Sequence, residues 1–448
     1  MKTPSKPARL LSAAAVAITM TACVSQPGPV YATQTASAGS VAAPTIPDTL
    51  AGKQLTWLLD AVNRTPIPDD ELAGHFSPDF LKAVPPAQVN EALASVKGMQ
   101  VRRVLSSQNQ YLLAEVTAGA TTSNAEITVD TAGVIVGLQF GQPDPKTWAE
   151  IDKRMSTASP DSGLLAAELT GNGRCRTVHA VAAGKARPLG SMVKLYVLGT
   201  VADQIKRGKF GWDSQITIKD ELKSLPSGVL QDRPDGTKVS VLEAAKLMIS
   251  ISDNTATDLL IHKVGRKAVE RTMRAWGVAD KRNSPLITTR DLFVFKGVDY
   301  PTHTKKYKSL STAAKRAYLD KVLAKEPLSK VQMWTKPRDL DSVEFYASPN
   351  DICRAYGELV KLGDKRIGEA MSINDAALGL DRKQWPTVWF KGGSEPGVLD
   401  LSFMARTSEG KTYVVTTMAI DPNEPIKPAV QSEQLGVVRT AFGLARKG

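Results

Sequence analysis

The strand-forming segments of region 161–448 lie at its two ends, and helical segments fill the stretch between them. Helices inserted between an early hairpin and late antiparallel strands predict an α/β (α+β) sandwich. The strand patterns cover 164–169, 177–181, 387–391, 398–406 and 412–420.

The amino terminus has the layout of a secretory signal. Three cations precede an apolar run over 10–22 that is too short to cross a bilayer. Small residues then stand before Cys23, which resembles a bacterial lipobox with Met20 where Leu is usual. We expect a signal peptide over 1–22, a lipid on Cys23, and a flexible tether over 23–47 that holds the chain at the outer face of the cell membrane. An ordinary signal peptide that is cut elsewhere is the alternative.

Composition limits the partners of this chain. The 57 Lys and Arg against 45 Asp and Glu give a net charge of +12, or +9 after loss of the predicted leader and its three cations. This charge is spread without a nucleic-acid-binding motif, so nucleic acid is not an expected partner, whereas anionic envelope polymers or lipid headgroups fit. The sequence leaves the oligomeric state open.

Cysteine and histidine usage bears on redox and metal chemistry. The four histidines are scattered without metal-ligand spacing, so no metal and no cofactor is expected. Cys175 and Cys353 would be free to pair in an oxidising exterior, but two buried thiols fit the sequence equally well.

Residues 48–142 have a different pattern, in which helices precede strands. Helical spacing covers 50–62 and 86–96, and short strands with polar turns follow at 100–106, 110–117, 125–130 and 134–140. This predicts a small α+β domain with a curved antiparallel sheet wrapped by helices, and a linker over 143–160. No acid or histidine in it has a catalytic arrangement, which favours a structural or docking role.

Ser191-Met192-Val193-Lys194 lies at the amino-terminal end of the first helix in region 161–448. A spacing of three places the Ser191 hydroxyl and the Lys194 amine on one helical face, within reach of each other. An amine can remove the serine proton only if burial or nearby cations lower its pKa. Ser408 and Lys411 repeat the spacing, but in a hairpin turn where no helix aligns them.

Two further motifs follow in order. Ser252-Asp253-Asn254 stands between two predicted helices, where Ser252 can pass a proton to a leaving group and Asn254 can hold a substrate amide; all three residues are also ordinary helix caps. Lys391-Gly392-Gly393-Ser394 ends a strand. Its lysine offers positive charge, its small residues let substrate approach, and the backbone N–H of Ser394 can join that of Ser191 in an oxyanion hole.

Together these motifs resemble those of class A β-lactamases and penicillin-binding proteins, over about residues 160–448. Ser348-Pro349-Asn350-Asp351 is similar to the Thr-Pro start of a helix in that fold. The resemblance implies a sandwich of the β-lactamase / D,D-peptidase type, with Ser191 as acylated nucleophile, Lys194 as base and Ser252 as proton relay. It implies substrate contacts from Asn254, Lys391, Gly393 and Ser394.

The layout is closer still to two-domain β-lactamase-like proteins with an amino-terminal steroid-isomerase-like (NTF2-like) domain, among them a clavulanate-cluster protein. The segment 72–86 and the KGGS form of the third motif carry this likeness.

The chain also departs from the β-lactamase pattern. No E-x-x-L-N segment supplies a glutamate to activate water; the corresponding stretch 286–292 offers Asp291 alone. A Lys-rich, helix-forming insertion over about 296–345 follows, which we expect to cover or reshape the site. Gly392 replaces the usual Thr or Ser and removes one hydroxyl contact to a substrate carboxylate.

The sequence thus predicts an envelope-anchored serine hydrolase that acylates Ser191 with a β-lactam, ester or small amide and deacylates slowly. A D,D-peptidase acting on peptidoglycan stem peptides and a non-catalytic binding lipoprotein are the alternatives.

Overall fold

The structure is a computed structural model that describes residues 44–447, and the chain divides into two compact units between Pro143 and Asp144. The predicted signal peptide, Cys23 and nearly all of the tether lie outside the described residues. Within 44–447, no helix combines the length and apolar character needed to cross a membrane.

The first unit is a four-stranded antiparallel meander with helices, which confirms the predicted small α+β domain with a curved sheet. Helix α1 packs on β2 and β3 through Leu55, Leu58 and Val62, which its periodicity places on one buried face. Two register shifts bend β1. The helices are α1 (Leu50–Arg64), α2 (Asp69–His75), α3 (Pro78–Ala83) and α4 (Pro86–Ser95). The strands are β1 (Gln100–Gln108), β2 (Tyr111–Ala118), β3 (Thr121–Val129) and β4 (Ile135–Gly141).

The second unit is built on a five-stranded antiparallel sheet in the order β11-β12-β13-β5-β6. The early hairpin therefore joins the late strands edge to edge, and the predicted sandwich is confirmed. The strands of this sheet are β5 (Asp161–Leu169), β6 (Cys175–Val181), β11 (Thr387–Glu395), β12 (Val398–Arg406) and β13 (Thr412–Ile420). Two short pairs are β7 (Arg187–Pro188) with β10 (Tyr346–Ala347), and β8 (Gln215–Thr217) with β9 (Lys238–Ser240).

Helices cover both faces of this sheet, which explains why β5 reads as one continuous apolar run. Leu165 faces a large core with α6 and α13, and its neighbour Leu164 faces a second core under α5 and α15. The helices are α5 (Trp148–Ala158), α6 (Lys194–Lys206), α7 (Val241–Ser250), α8 (Asn254–Val264), α9 (Arg266–Ala275), α10 (Thr289–Gly297), α11 (Thr302–Lys308), α12 (Thr312–Lys321), α13 (Pro349–Leu362), α14 (Lys365–Met371) and α15 (Ala429–Lys447).

The stretch predicted as a linker, 143–160, contains helix α5, and that prediction is wrong. Thr147 caps the helix, and Ile151 and Met155 are buried in the core that α15 completes. The pattern is hard to recognise from sequence because only these two apolar side chains face inward on a mostly polar helix.

A disulfide links the sheet to the helical layer, and the insertion adds further helices. The cysteines that the sequence left unassigned form a disulfide, Cys175–Cys353, with a Cα–Cα distance of 6.3 Å between β6 and α13. The insertion 296–345 is helical in part, through α11, α12 and short 3₁₀ turns at Leu323–Lys325 and Leu328–Lys330.

Candidate active site

Ser191 lies in a 3₁₀ turn, Gly190–Val193, that leads directly into α6 at Lys194. The spacing of the motif predicts both residues on one face of an α-helix; the tighter turn still places the two side chains together. Gly190 has a φ of 47°, and a Cβ on it would lie 3.0 Å from the backbone nitrogen of Ser394. Glycine is therefore required where the nucleophile turn meets strand β11.

The Lys194 amine is the centre of the site and is fully buried. Its Nζ lies 3.1 Å from Ser191 Oγ and 3.0 Å from Ser252 Oγ. It also donates to two oxygens that can only accept, the Ser252 carbonyl at 2.7 Å and Asn254 Oδ1 at 2.7 Å. A neutral amine has two N–H bonds and one lone pair. When those two acceptors use both N–H bonds, the lone pair is left for a serine hydroxyl.

Burial lowers the pKa of Lys194 well below its ordinary value, and the nearby charge of Lys391 lowers it further. The carboxylates of Asp258 and Asp253 act in the opposite direction but do not cancel the shift. Desolvation disfavours the charged form of an amine, and a second cation repels it. The amine is thereby poised to accept a proton from Ser191.

In the Ser252-Asp253-Asn254 motif, the middle residue has a structural role and the outer two contact the Lys194 amine. Asp253 is the N-cap of α8, since its Oδ1 accepts from Ala256 N at 2.7 Å. The capping role foreseen for this motif thus falls on its middle residue. Ser252 has a φ of 57°, an uncommon conformation that brings its hydroxyl and its carbonyl to Lys194.

Lys391, Gly393 and Ser394 lie on β11, at the edge of the sheet that passes the nucleophile turn. Lys391 Nζ donates to Ser252 Oγ at 3.1 Å, and burial lowers its pKa to about 7. A Cβ on Gly393 would lie 2.0 Å from the Leu189 carbonyl oxygen and 2.9 Å from Ser191 N. The strand can pass this closely only because Gly393 has no side chain.

The structure thus brings all seven predicted site residues of the second unit around one point, although they come from three distant segments. The second Ser-x-x-Lys copy, Ser408 to Lys411, lies apart in the turn between β12 and β13. Ser348 caps α13 in a capping box with Asp351, as its motif predicts.

A cavity of about 200 Å³ opens beside Ser191. Its aromatic part includes Phe293 and Trp334, whose ring centroids are 5.8 Å apart. The insertion reaches this cavity through Met333 and Trp334, as expected. It is lined by Gly190, Ser191, Val193, Lys194, Asn254, Thr289, Leu292, Phe293, Met333, Trp334, Glu344, Phe345, Ser394, Glu395 and Pro396.

Asp291, the one carboxylate in the stretch that replaces E-x-x-L-N, is held by structural bonds. It forms a capping box with Thr288 at the start of α10 and an ion pair with Arg266. It does not line the cavity. Neither oxygen is therefore placed to activate a water beside Ser191.

Sequence reasoning missed a buried charged cluster in the cavity wall. Lys296 Nζ lies 2.5 Å from Glu395 Oε1 and 3.4 Å from Glu344 Oε1, and all three side chains are nearly inaccessible. Burial raises the pKa of Glu395 well above its ordinary value; Lys296 opposes this shift and Glu344 adds to it. The lone lysine in the apolar run 292–298 was the available sequence signal.

Two family models match parts of this chain. Residues 147–333 match the family described as the beta-lactamase enzyme family, and residues 46–135 match the family described as ORF 12 gene product N-terminal. No curated protein matches the chain in sequence.

Solved structures give weaker similarity. A β-lactamase from Sphaerobacter thermophilus is 20% identical with a TM-score of 0.48, and covers 67% of this chain and 97% of its own. A structure titled PBP-A is 18% identical with a TM-score of 0.45, and covers 68% and 99%. A β-lactamase from Francisella tularensis is 12% identical with a TM-score of 0.45, and covers 67% and 99%. The second unit is thus similar to the beta-lactamase enzyme family over residues 147–333.

Proposed function

We propose that this protein is a serine hydrolase that forms an acyl-enzyme on Ser191 with a β-lactam, an ester or a small amide. The observation that carries the proposal is the 3.1 Å contact between Ser191 Oγ and the buried Lys194 amine. Lys194 takes the hydroxyl proton as Ser191 Oγ bonds to the carbonyl carbon. The bond from that carbon to the leaving nitrogen or oxygen then breaks.

The proton has a short route to the leaving group. Ser252 Oγ lies 3.0 Å from Lys194 Nζ, so it can take the proton from Lys194 while it gives its own proton to the leaving nitrogen or oxygen. Lys391 Nζ donates to the same hydroxyl oxygen at 3.1 Å. The backbone nitrogen of Ser394 lies beside Gly190, and that of Ser191 lies beside Gly393, where β11 crosses the nucleophile turn. That crossing supports their predicted role as the oxyanion hole.

The proposal includes slow deacylation. Release of the acyl group needs a base that removes a proton from water next to the ester carbon. Asp291 is engaged with Thr288 and Arg266, and Lys296 and the Phe345 N–H hold Glu344. These contacts support an acyl-enzyme that is hydrolysed more slowly than it forms.

Time-resolved intact mass spectrometry tests both halves of the cycle. The protein is mixed with benzylpenicillin or with p-nitrophenyl acetate, and the mass is followed from seconds to hours. We expect an adduct of the acyl mass on the wild type that persists after the reagent is removed. Ser191→Ala should give none, while Ser408→Ala, the matched serine of the second Ser-x-x-Lys copy, should label like wild type. Equal labelling of Ser191→Ala would overturn the proposal.

We also propose export and anchoring through a lipid on Cys23. The support is the signal pattern in the sequence and the Cys175–Cys353 disulfide, which suits an oxidising compartment. Metabolic labelling with an alkyne fatty acid and detergent phase partition test it. Cys23→Ala should lose the label and move to the aqueous phase; a labelled Cys23→Ala protein would contradict the proposal.

A further inference from the structure

We propose that the cavity beside Ser191 binds a short, uncharged, apolar acyl group, so that esters of such acids react in preference to substrates whose acyl group carries a carboxylate. The inference rests on the proposed acylation of Ser191 and names its substrate class. It draws on the position of the cavity, its walls, its charges and its size.

The cavity lies on the acyl side of the nucleophile. Ser191, Lys194 and Ser394 line it, but Ser252 and Lys391 do not. The leaving group must stand near Ser252, because that hydroxyl delivers its proton. The cavity is therefore left for the group that stays bonded to Ser191.

Apolar side chains form most of the walls. Leu292 and Phe293 come from α10, and Phe345 ends the insertion. Trp334 is 8% exposed and packs against Phe293, whereas Met333 is 69% exposed at the mouth. Binding in such a cavity is favoured by each methylene group of the ligand that is removed from water. Each one should raise the binding or rate constant by about fourfold.

The charges in the wall do not suit an anion. The ionisable groups that line the cavity are Lys194, Glu344 and Glu395. The Lys194 amine already contacts four oxygens, and the other two are acids that share the Lys296 ammonium. No guanidinium lines the cavity among the described residues. A carboxylate on the acyl group would lose its water without gaining a partner.

The volume of about 200 Å³ favours a short group. Pockets for drug-sized ligands usually measure about 300–1,000 Å³. A straight acyl chain of a few carbons fits the smaller space, and Met333 is among the residues that line this space.

A series of p-nitrophenyl esters tests the inference, because the leaving group is constant. We expect kcat/KM, or the acylation rate if turnover is slow, to rise by about 15-fold from acetate to butyrate, two methylenes longer. The adipate monoester has the chain of the hexanoate ester with a carboxylate in place of the terminal methyl. It should react at least tenfold more slowly than hexanoate, because that carboxylate would be desolvated. Spontaneous hydrolysis is subtracted for each ester.

A charge variant at the mouth provides the second arm. Met333→Lys offers a partly exposed cation and should improve adipate relative to hexanoate by about threefold to fivefold. Val322→Lys is the matched control, since Val322 is an exposed apolar residue of the same insertion that does not line the cavity. It should leave the ratio unchanged.

The outcomes separate this inference from the proposed function. If p-nitrophenyl acetate acylates Ser191 but chain length has no effect, or adipate matches hexanoate, the inference fails and the hydrolase proposal stands. If no ester and no β-lactam acylates Ser191, both fail. An equal response of Met333→Lys and Val322→Lys would also overturn the assignment of the cavity.

Discussion

Removal of the Lys391 charge should shift the pH dependence of Ser191 acylation. Lys194 must be neutral to accept the serine proton, and the Lys391 ammonium helps to keep it neutral by lowering its pKa. Lys391→Met removes that charge and preserves most of the buried volume. The pKa of Lys194 then rises, so the reactive neutral amine appears only at higher pH.

The geometry sets the size of this effect. The two amine nitrogens lie 3.0 and 3.1 Å from the same Ser252 oxygen, so they are at most about 6 Å apart. At an effective dielectric constant of about 20, two unit charges at this distance repel by about 2.8 kcal/mol, or about 100-fold in an equilibrium constant. Burial lowers the pKa of Lys391 itself to about 7, so it is charged and the effect is largest below that pH.

The assay is the second-order rate of acylation by an activated ester, measured between about pH 5 and pH 10. We expect the acid limb of the profile to move upward by as much as about two pH units in Lys391→Met. Near pH 6 the variant would then be as much as about 100-fold slower, and the gap would narrow as the pH rises. Lys411→Met, at the exposed lysine of the second Ser-x-x-Lys copy, should keep the wild-type profile.

An acid limb that stays in place would refute this reasoning. A rate that falls by one factor at every pH would mean that Lys391 only contacts the substrate. A limb that moves to lower pH would mean that the two amines do not repel each other as their positions imply.

Three further changes have defined outcomes. Cys175→Ser breaks the disulfide to Cys353, which joins residues 178 positions apart. It should lower the free energy of unfolding, measured by urea denaturation, by as much as about 5 kcal/mol. Reduction of the disulfide in the wild type should lower the free energy of unfolding by the same amount. Gly393→Ala should cut acylation by about 100-fold or more, because its Cβ would lie 2.0 Å from a backbone oxygen of the nucleophile turn; Gly443→Ala, where a Cβ meets no atom within 4 Å, should not. Lys296→Met removes the cation that Glu344 and Glu395 share and should cost about 3–5 kcal/mol by the same denaturation assay. The cost should be smaller as the pH is lowered, because burial raises the pKa of Glu395 and this acid is then protonated. A loss that does not diminish at low pH would contradict that account.

Local patterns were enough to predict the architecture of both units. Apolar periods of two and 3.6 residues identify strands and helices, and turn and cap residues delimit them. Continuous apolar strands such as β5 indicate a sheet that is covered on both faces, as it is here. Helix α5 was not predicted, because only two of its apolar side chains are buried. The core that buries them is completed by α15, about 280 residues later in the chain.

By itself, the sequence determined which residues gather at the site: the spacing of Ser191 and Lys194 and the order of the two later motifs are local signals. Only the tertiary structure decided their chemistry, because burial and the charge of Lys391 lower the pKa of the Lys194 amine, and the amine contacts oxygens 58 and 60 positions away. The same holds for the disulfide, for the structural role of Asp291, and for the acidic pair around Lys296. Desolvation and charge pairing depend on which groups surround a side chain in space, and a local sequence pattern does not contain that information.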